Sequence, residues 1–475
     1  MLSRTLQHLR RHLVAYFALL AALSGTSYAA TTKLVPRNSV GSAQVVNGSL
    51  QRVDLSKKAT AALRGARGPQ GLPGAAGPAG LPGPQGPKGD PGAPGAAGQQ
   101  GAQGPQGLPG TAIARLAPGA NVLTTLDGAG QVGTYTSATV GADGLGLISY
   151  YDSTNADLKV AHCNNTACTS ASANTLESAG GVGLYTSATI GADGLGLISY
   201  LDLTNNDLKV AHCSNTACTS AGLSTLDSVG IVGRYSSATI GSDGLGLISY
   251  YDSTNADLKV AHCNNAACTS AVTSTLDSAG DIGDFSSATI GVDGVGLISY
   301  YDVTNVDLKV AHCVNVACTS ADTTMLDSTG DVGSYASATI GADGLGLISY
   351  YDVTNVDLKV AHCANIACTS ADTTMLDSTG DVGSYTSATT GMDGHGLISY
   401  WDFTNGDLKV AHCGNTACTS AGKSTLDNAG NVGQSTSLTI GADGLGLISY
   451  SDNTNADLKI AHCANTFCAP YFRRR

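Results

Sequence analysis

A fifty-residue unit written seven times constrains this chain more than any other feature. Between residues 121 and 468 the consensus TLDSxGxVGxYTSATIGADGLGLISYYDxTNxDLKVAHCxNxACTSA returns with small edits, so ISYYDSTNADLKV at 148–160 has copies beginning at 198, 248, 298, 348, 398 and 448. A unit of this size buries little apolar surface alone; stacked units share one core. Inside one unit, four β-type runs are marked: YTSATV (135–140), GLISYY (146–151), DLKVAHC (157–163) and SANTLE (172–177). Between them stand Gly141-Ala142-Asp143-Gly144, Asp152-Ser153-Thr154-Asn155 and Asn164-Asn165-Thr166-Ala167. These are turn residues, which supply positive φ or bond their own backbone.

Four antiparallel strands in each of seven units predict an all-β, seven-bladed β-propeller over 113–475. The strand count adds a closure rule. The outer strand first occurs as NVLTTLD (121–127), ahead of the first inner strand, while the last unit ends without its own outer strand. Strand 121–127 is therefore expected to complete the last blade beside 457–463 and remove the open edge. An open solenoid is the alternative topology. The repeats resemble the ISYYD…DLKVAHC propeller repeats of secreted bacterial proteins, a resemblance that implies fold more than function.

All fourteen cysteines lie in the repeats, two per unit and spaced C-x4-C. The pairs are Cys163 with Cys168, Cys213 with Cys218, Cys263 with Cys268, Cys313 with Cys318, Cys363 with Cys368, Cys413 with Cys418 and Cys463 with Cys468. An even count in an exported chain points to disulfides, and a four-residue loop between antiparallel strands places each pair within bridging distance. Metal is the rival role, because His162, Cys163 and Cys168 offer nitrogen and sulfur. Neighbours on a strand point to opposite faces, so His162 and Cys163 do not share an ion. His162 and its copies are expected between blades, bonded to a Ser, Tyr or backbone group.

The residues ahead of the repeats are of another kind. Arg4, Arg10 and Arg11, the apolar run at 13–25 and the Ser27-Tyr28-Ala29 pattern read as a signal peptide over 1–30. The chain is then secreted or at the cell surface, with membrane contact only if that segment stays uncleaved. Residues 31–64 form a polar lead-in, resembling the segment before the collagen run of secreted bacterial collagen-like proteins, and a possible trimerisation segment. Residues 65–112 carry Gly at every third position through sixteen triplets, with ten prolines among them. Only Gly fits the axis of three wound polyproline-II chains, so this run resembles collagen and implies a homotrimer. Fully wound, it makes a stalk of roughly 140 Å.

Charge divides the chain at the same place. Residues 1–112 hold 11 Lys+Arg against 2 Asp+Glu, and the remainder 13 against 34. An acidic repeat region argues against nucleic acid as partner. The turn Asp152-Ser153-Thr154-Asn155-Ala156-Asp157 recurs in all units and is oxygen-rich, which makes Asp152, Asn155, Asp157 and their copies candidate Ca2+ ligands. It lacks the Gly and distal Glu of a full calcium loop, and Asx-turns account for the same residues. No cofactor is expected apart from Ca2+ at these turns. Unit six departs most from the consensus, through His395, Trp401 and Phe403, and is the place to look for a specialised ligand pocket.

Catalysis is not expected. Arg234 is the only arginine in 121–468, too few for a sialidase-like cluster, and no triad or carboxylate pair stands out from the repeats. A central active site needs asymmetry that near-identical units offer little of. The expectation is an extracellular structural or adhesive protein whose propeller heads, gathered by a collagen stalk, bind a glycan or other surface polymer multivalently. The rivals are a purely structural stalk protein and a secreted hydrolase.

Overall fold

The computed structural model describes residues 120–469. The signal, lead-in and Gly-X-Y expectations for 1–112 fall outside the described residues. Every regular element described is a strand, from β1 to β28, and no helix among these residues is long and apolar enough to cross a membrane.

The first strand is β1 (Val122–Asp127). Blade one follows as β2 (Val132–Val140), β3 (Gly146–Asp152), β4 (Asp157–Cys163) and β5 (Ala171–Glu177). The same four strands recur in each unit through β6–β25, and the chain finishes with β26 (Val432–Ile440), β27 (Gly446–Asp452) and β28 (Asp457–His462). Seven four-stranded antiparallel sheets result, six in the order β2-β3-β4-β5 and its repeats. The seventh is β26-β27-β28-β1, with Val122 opposite His462. This is a seven-bladed propeller whose first strand completes the last blade, so no blade lacks its outer strand.

The core lies between blades. Leu147 and Leu158 of blade one pack with Val182, Ile198 and Tyr200 of blade two, all essentially unexposed, and the pattern repeats around the ring. On the inner strands a belt of hydrogen bonds runs from blade to blade. Ser137 Oγ accepts from Ala188 N at 3.0 Å, and Ser437 Oγ accepts from Ala138 N at 3.0 Å across the closure. These half-buried hydroxyls thus find a partner that only the neighbouring blade supplies.

The inner strand starts earlier than the β-type run at 135 suggests, at Val132. Its register against β3 shifts twice, between Val132 and Thr134 and between Thr134 and Ser137. Gly133 has φ 91°, and a Cβ there would fall 2.7 Å from Leu458 Cα of the adjacent blade. Tyr135 has φ 53°, in the left-handed region. The bulge breaks the two-residue alternation that reads as strand in sequence.

Candidate functional site

The bulge decides what faces the central channel. Position 135 and its copies project there as a ring: Tyr135, Tyr185, Tyr235, Phe285, Tyr335, Tyr385 and, last, Ser435. All seven have φ between 51° and 55°. Consecutive rings stand 4.4 to 4.7 Å apart between centroids. Ser435 leaves a gap in this wall between Tyr385 and Tyr135. With the Ser, Thr and Ala side chains beneath, the ring encloses a cavity of about 200 Å³, below the ~300–1,000 Å³ of drug-sized sites. Burial pushes the Tyr235 hydroxyl up to about 12, with help from the Asp284 charge. The Tyr135 hydroxyl is raised further, by burial and by Tyr185. These phenols stay neutral, and each both donates and accepts.

The mouth of this channel is not sevenfold. On blades three and four, Arg234 and Asp284 occupy the position beside the aromatic ring. Burial raises the Asp284 carboxyl to about 6; Asp281 adds to the rise and Arg234 opposes it. Its Oδ1 is buried without a hydrogen-bond partner. The rim continues as Tyr–Asp pairs that join successive blades. Tyr251 donates to Asp281 at 2.6 Å, Tyr301 to Asp331 at 2.8 Å and Tyr351 to Asp381 at 2.7 Å.

Blade six breaks that pattern. Trp401 replaces the rim tyrosine, and Asn431 stands where Asp281, Asp331 and Asp381 stand. The Trp401 ring lies 6.0 Å from Tyr385 and 5.1 Å, edge-on, from Phe403. Trp401 is 7% exposed with its Nε1 unpartnered, whereas Phe403 is 59% exposed. Tyr385, Trp401 and Phe403 thus form an aromatic spoke from channel to surface. His395 is not part of it. It sits in the turn before β23 (Gly396–Asp402), at the opposite end of that strand, beside Asp393 and His412.

The remaining candidates have structural surroundings. Asp152 Oδ1 accepts from Thr154 N at 3.0 Å and Asn155 N at 3.1 Å, and Oδ2 accepts from Asn155 Nδ2 at 3.0 Å. Asp152 is 1% exposed and staples the turn that Asp157 ends. Burial and then the Asp152 charge raise the Asp157 carboxyl. His162 corrects one expectation: its partner is neither Ser, Tyr nor backbone. Nε2 lies 2.9 Å from Asp143 Oδ2, in the β2–β3 turn of its own blade.

The cysteines are bridged within each unit. Cys163 is joined to Cys168, Cys213 to Cys218, Cys263 to Cys268 and Cys313 to Cys318. Cys363 is joined to Cys368, Cys413 to Cys418 and Cys463 to Cys468. The Cα atoms of each pair stand 4.7 to 4.9 Å apart, and no free cysteine occurs among the described residues. The second cysteine of every pair, from Cys168 through Cys218, Cys268, Cys318, Cys368 and Cys418 to Cys468, has φ between 49° and 52°. That left-handed residue turns the short loop back on itself, a backbone feature the spacing alone does not reveal. Both sulfurs are buried under the blade edge.

One network escaped the sequence reading. Tyr150, fully buried, donates to Asp127 at 2.7 Å, and Lys159 Nζ reaches the same oxygen at 2.5 Å. Every blade repeats this brace, with Glu177 standing in at one seam. A lysine inside each DLKVAHC strand was the available signal, because a cation on a buried strand needs an acid.

The family model of the collagen triple helix repeat matches residues 61–121. This segment carries collagen repeats. A collagen triple helix takes three chains, so the collagen segment implies trimeric assembly. Collagen repeats with seven disulfides suit an extracellular setting. No curated protein matches the chain. Among solved structures, the hydrazine synthase of Kuenenia stuttgartiensis superposes with a TM-score of 0.50 at 10% identity, covering 70% of this chain and 96% of that one. The polysaccharide lyase Uly1 gives 0.46 at 9%, over 70% and 89%. A PL25 ulvan lyase bound to -[GlcA(1-4)Rha3S]- gives 0.47 at 10%, over 71% and 94%.

The expectation that the chain is not an enzyme is corrected here. Enzymes are built on this fold, as the hydrazine synthase is, so the architecture is compatible with catalysis. The asymmetry held to be lacking is also present, in Arg234, Asp281 and Asp284 at the channel mouth.

Proposed function

We propose that this chain is an extracellular adhesive or matrix protein that binds a glycan or other surface polymer, three propellers to each collagen-joined trimer. The aromatic spoke Tyr385–Trp401–Phe403, opening from a phenol-lined channel mouth, carries the reading. Aromatic faces stack on the apolar faces of sugar rings; Phe403, 59% exposed, offers such a face, and the buried Trp401 ring holds it edge-on at 5.1 Å. A small cavity takes one ring or chain end and gives modest affinity alone. Joining three such sites in one assembly raises it through effective concentration.

A glycan and polymer array with the full chain tests this, run with and without Ca2+. Binding is expected, and Trp401→Ala should weaken it by about tenfold or more, the scale of one lost aromatic contact. An array with no binding leaves the purely structural role, and binding unchanged in Trp401→Ala removes the spoke as the site. Light scattering on the full chain supplies the second arm: a trimer mass supports avidity, a monomer removes it.

A specific observation favours a second reading, catalysis in the same mouth. A carboxyl at about 6 with an unpartnered buried oxygen, flanked by Arg234, suits general acid–base work near neutrality. Turnover of a polymer panel that disappears in Asp284→Asn would carry it; turnover unchanged by that substitution would end it.

A further inference from the structure

Each blade pairs its strand histidine with the turn aspartate, Nε2 to Oδ2 at 2.7 to 3.0 Å. In six blades the pair is alone, because the residue two beyond the aspartate is Leu or, in blade four, Val295. In blade six it is His395. One donor atom from each of Asp393, His395 and His412 then lies within 4.8 Å of the others, the one such trio among the described residues.

A second departure from the repeat converges on the same spot. The first six units place alanine just before the second cysteine; the seventh places Phe467. Its ring meets His412 edge-on, 4.7 Å between centroids. Two singular residues, from blades six and seven, thus meet on one repeated Asp–His pair.

We propose that Asp393, His395 and His412 form a binding site for one divalent transition-metal ion, zinc above all, on the disulfide-bearing face of the propeller. Two imidazoles and a carboxylate suit Zn2+, and imidazole is a poor ligand for Ca2+. On a tetrahedral ion with bonds of about 2.0–2.2 Å, ligand atoms stand roughly 3.4 Å apart. His412 Nε2 and Asp393 Oδ2 are at 2.7 Å, and they open slightly as the ion replaces the proton between them. His395 closes in by side-chain rotation, for which its partial exposure leaves room. His412 is buried, and Phe467 holds its ring plane. Three protein ligands leave the fourth position for water or an incoming group. The site lies at the far end of β23 from Trp401, so metal and mouth are separate.

The untagged full chain, titrated with Zn2+ by calorimetry and with Co2+ by absorption, tests this. One equivalent and a tetrahedral cobalt band are expected, both lost in His395→Leu and retained in Trp401→Ala. His395→Leu restores the residue that most blades carry, so the fold is kept. Phe467→Ala should weaken the same equivalent by about tenfold, as loss of a supporting contact does. No uptake, uptake unchanged in His395→Leu, or seven equivalents per chain would each overturn the proposal.

Discussion

Tyr150 and Asp127 meet across the seam that closes the ring, the phenol donating to Asp127 Oδ2 at 2.7 Å. Tyr150 belongs to blade one and Asp127 to β1, the outer strand of blade seven. Lys159 Nζ completes the brace, 5.6 Å from the centroid of the Tyr150 ring. Asp127→Ala removes the nearer of two carboxylates that face a largely buried lysine and leaves Asp152 Oδ2 at 3.7 Å. The expected cost is about 2–3 kcal/mol, below the scale of a buried pair broken with no anion left. Asp327→Ala, at an interior seam, should cost a similar amount. Urea midpoints of the two variants check this; a change within error at both would show that the brace carries no stability.

Acid should weaken these braces. Burial tends to raise the Asp127, Asp227, Asp277, Asp327, Asp377 and Asp427 carboxyls, but the lysine and tyrosine donors win and hold them below the usual range. The native state therefore binds these protons less readily than the unfolded chain. Their stability is present above the unfolded value near ~4 and is lost as pH falls through the lower native values. The turn acids, Asp157 to Asp457, are raised and run the other way, losing stability as pH rises through their native values. The difference between native chain and Asp327→Asn isolates one brace: it should shrink between about pH 5 and 2. Melting temperatures across that range would show it; a constant difference would refute it.

Asp284 has the opposite sign. Its native carboxyl, raised to about 6, binds a proton more readily than the unfolded side chain. Its contribution is intact below ~4 and is lost as pH rises through about 6. Asp284→Asn should therefore stabilise the propeller at neutral pH, by on the order of 3 kcal/mol if the raised value is the whole cause. The gain should vanish near ~pH 4. Equal melting temperatures at neutral pH would place the carboxyl in water instead.

One seam lacks a bond that its siblings have. Ser149 bonds Thr186 at 2.7 Å, and Ser199 bonds Ser236 at 2.9 Å. Ser299 is fully buried with no partner, because Ala336 stands where the others carry a hydroxyl. Ala336→Ser should stabilise the chain by roughly 1 kcal/mol, the net worth of a satisfied buried hydroxyl. Calorimetry decides; an unchanged or lower Tm would mean that Ser299 needs no partner.

The fold was legible because its signals are local. Alternating strands of six to nine residues, turn residues between them and a constant period of fifty leave few topologies. The position of NVLTTLD ahead of the first inner strand even pointed to the closing pair, seen as Val122 opposite His462. The disulfides were legible for the same reason, being only five residues apart in sequence. The site was less so. His395 and Trp401 look adjacent in sequence, yet they flank and enter β23 from opposite ends. At about 3.4 Å per residue the intervening strand separates them by roughly 20 Å. Tyr135 reads as one more alternating strand residue until its φ of 53° turns it into the channel.

By itself, then, the sequence determined the number of blades, the order of strands and the cysteine pairs, since each follows from residues within one unit. Only the tertiary structure decided what those units do to each other: the braces from Asp127 to Tyr150 and Lys159, the aromatic ring, the spoke at Trp401 and the meeting of His395 with Phe467's partner His412. The braces and the aromatic ring join different blades, so their partners are set by the curvature that closes seven sheets into a ring. The spoke and the His395–His412 contact lie within blade six, where the pairing of adjacent strands and the bulge at Tyr385 set them, and Phe467 reaches His412 from blade seven.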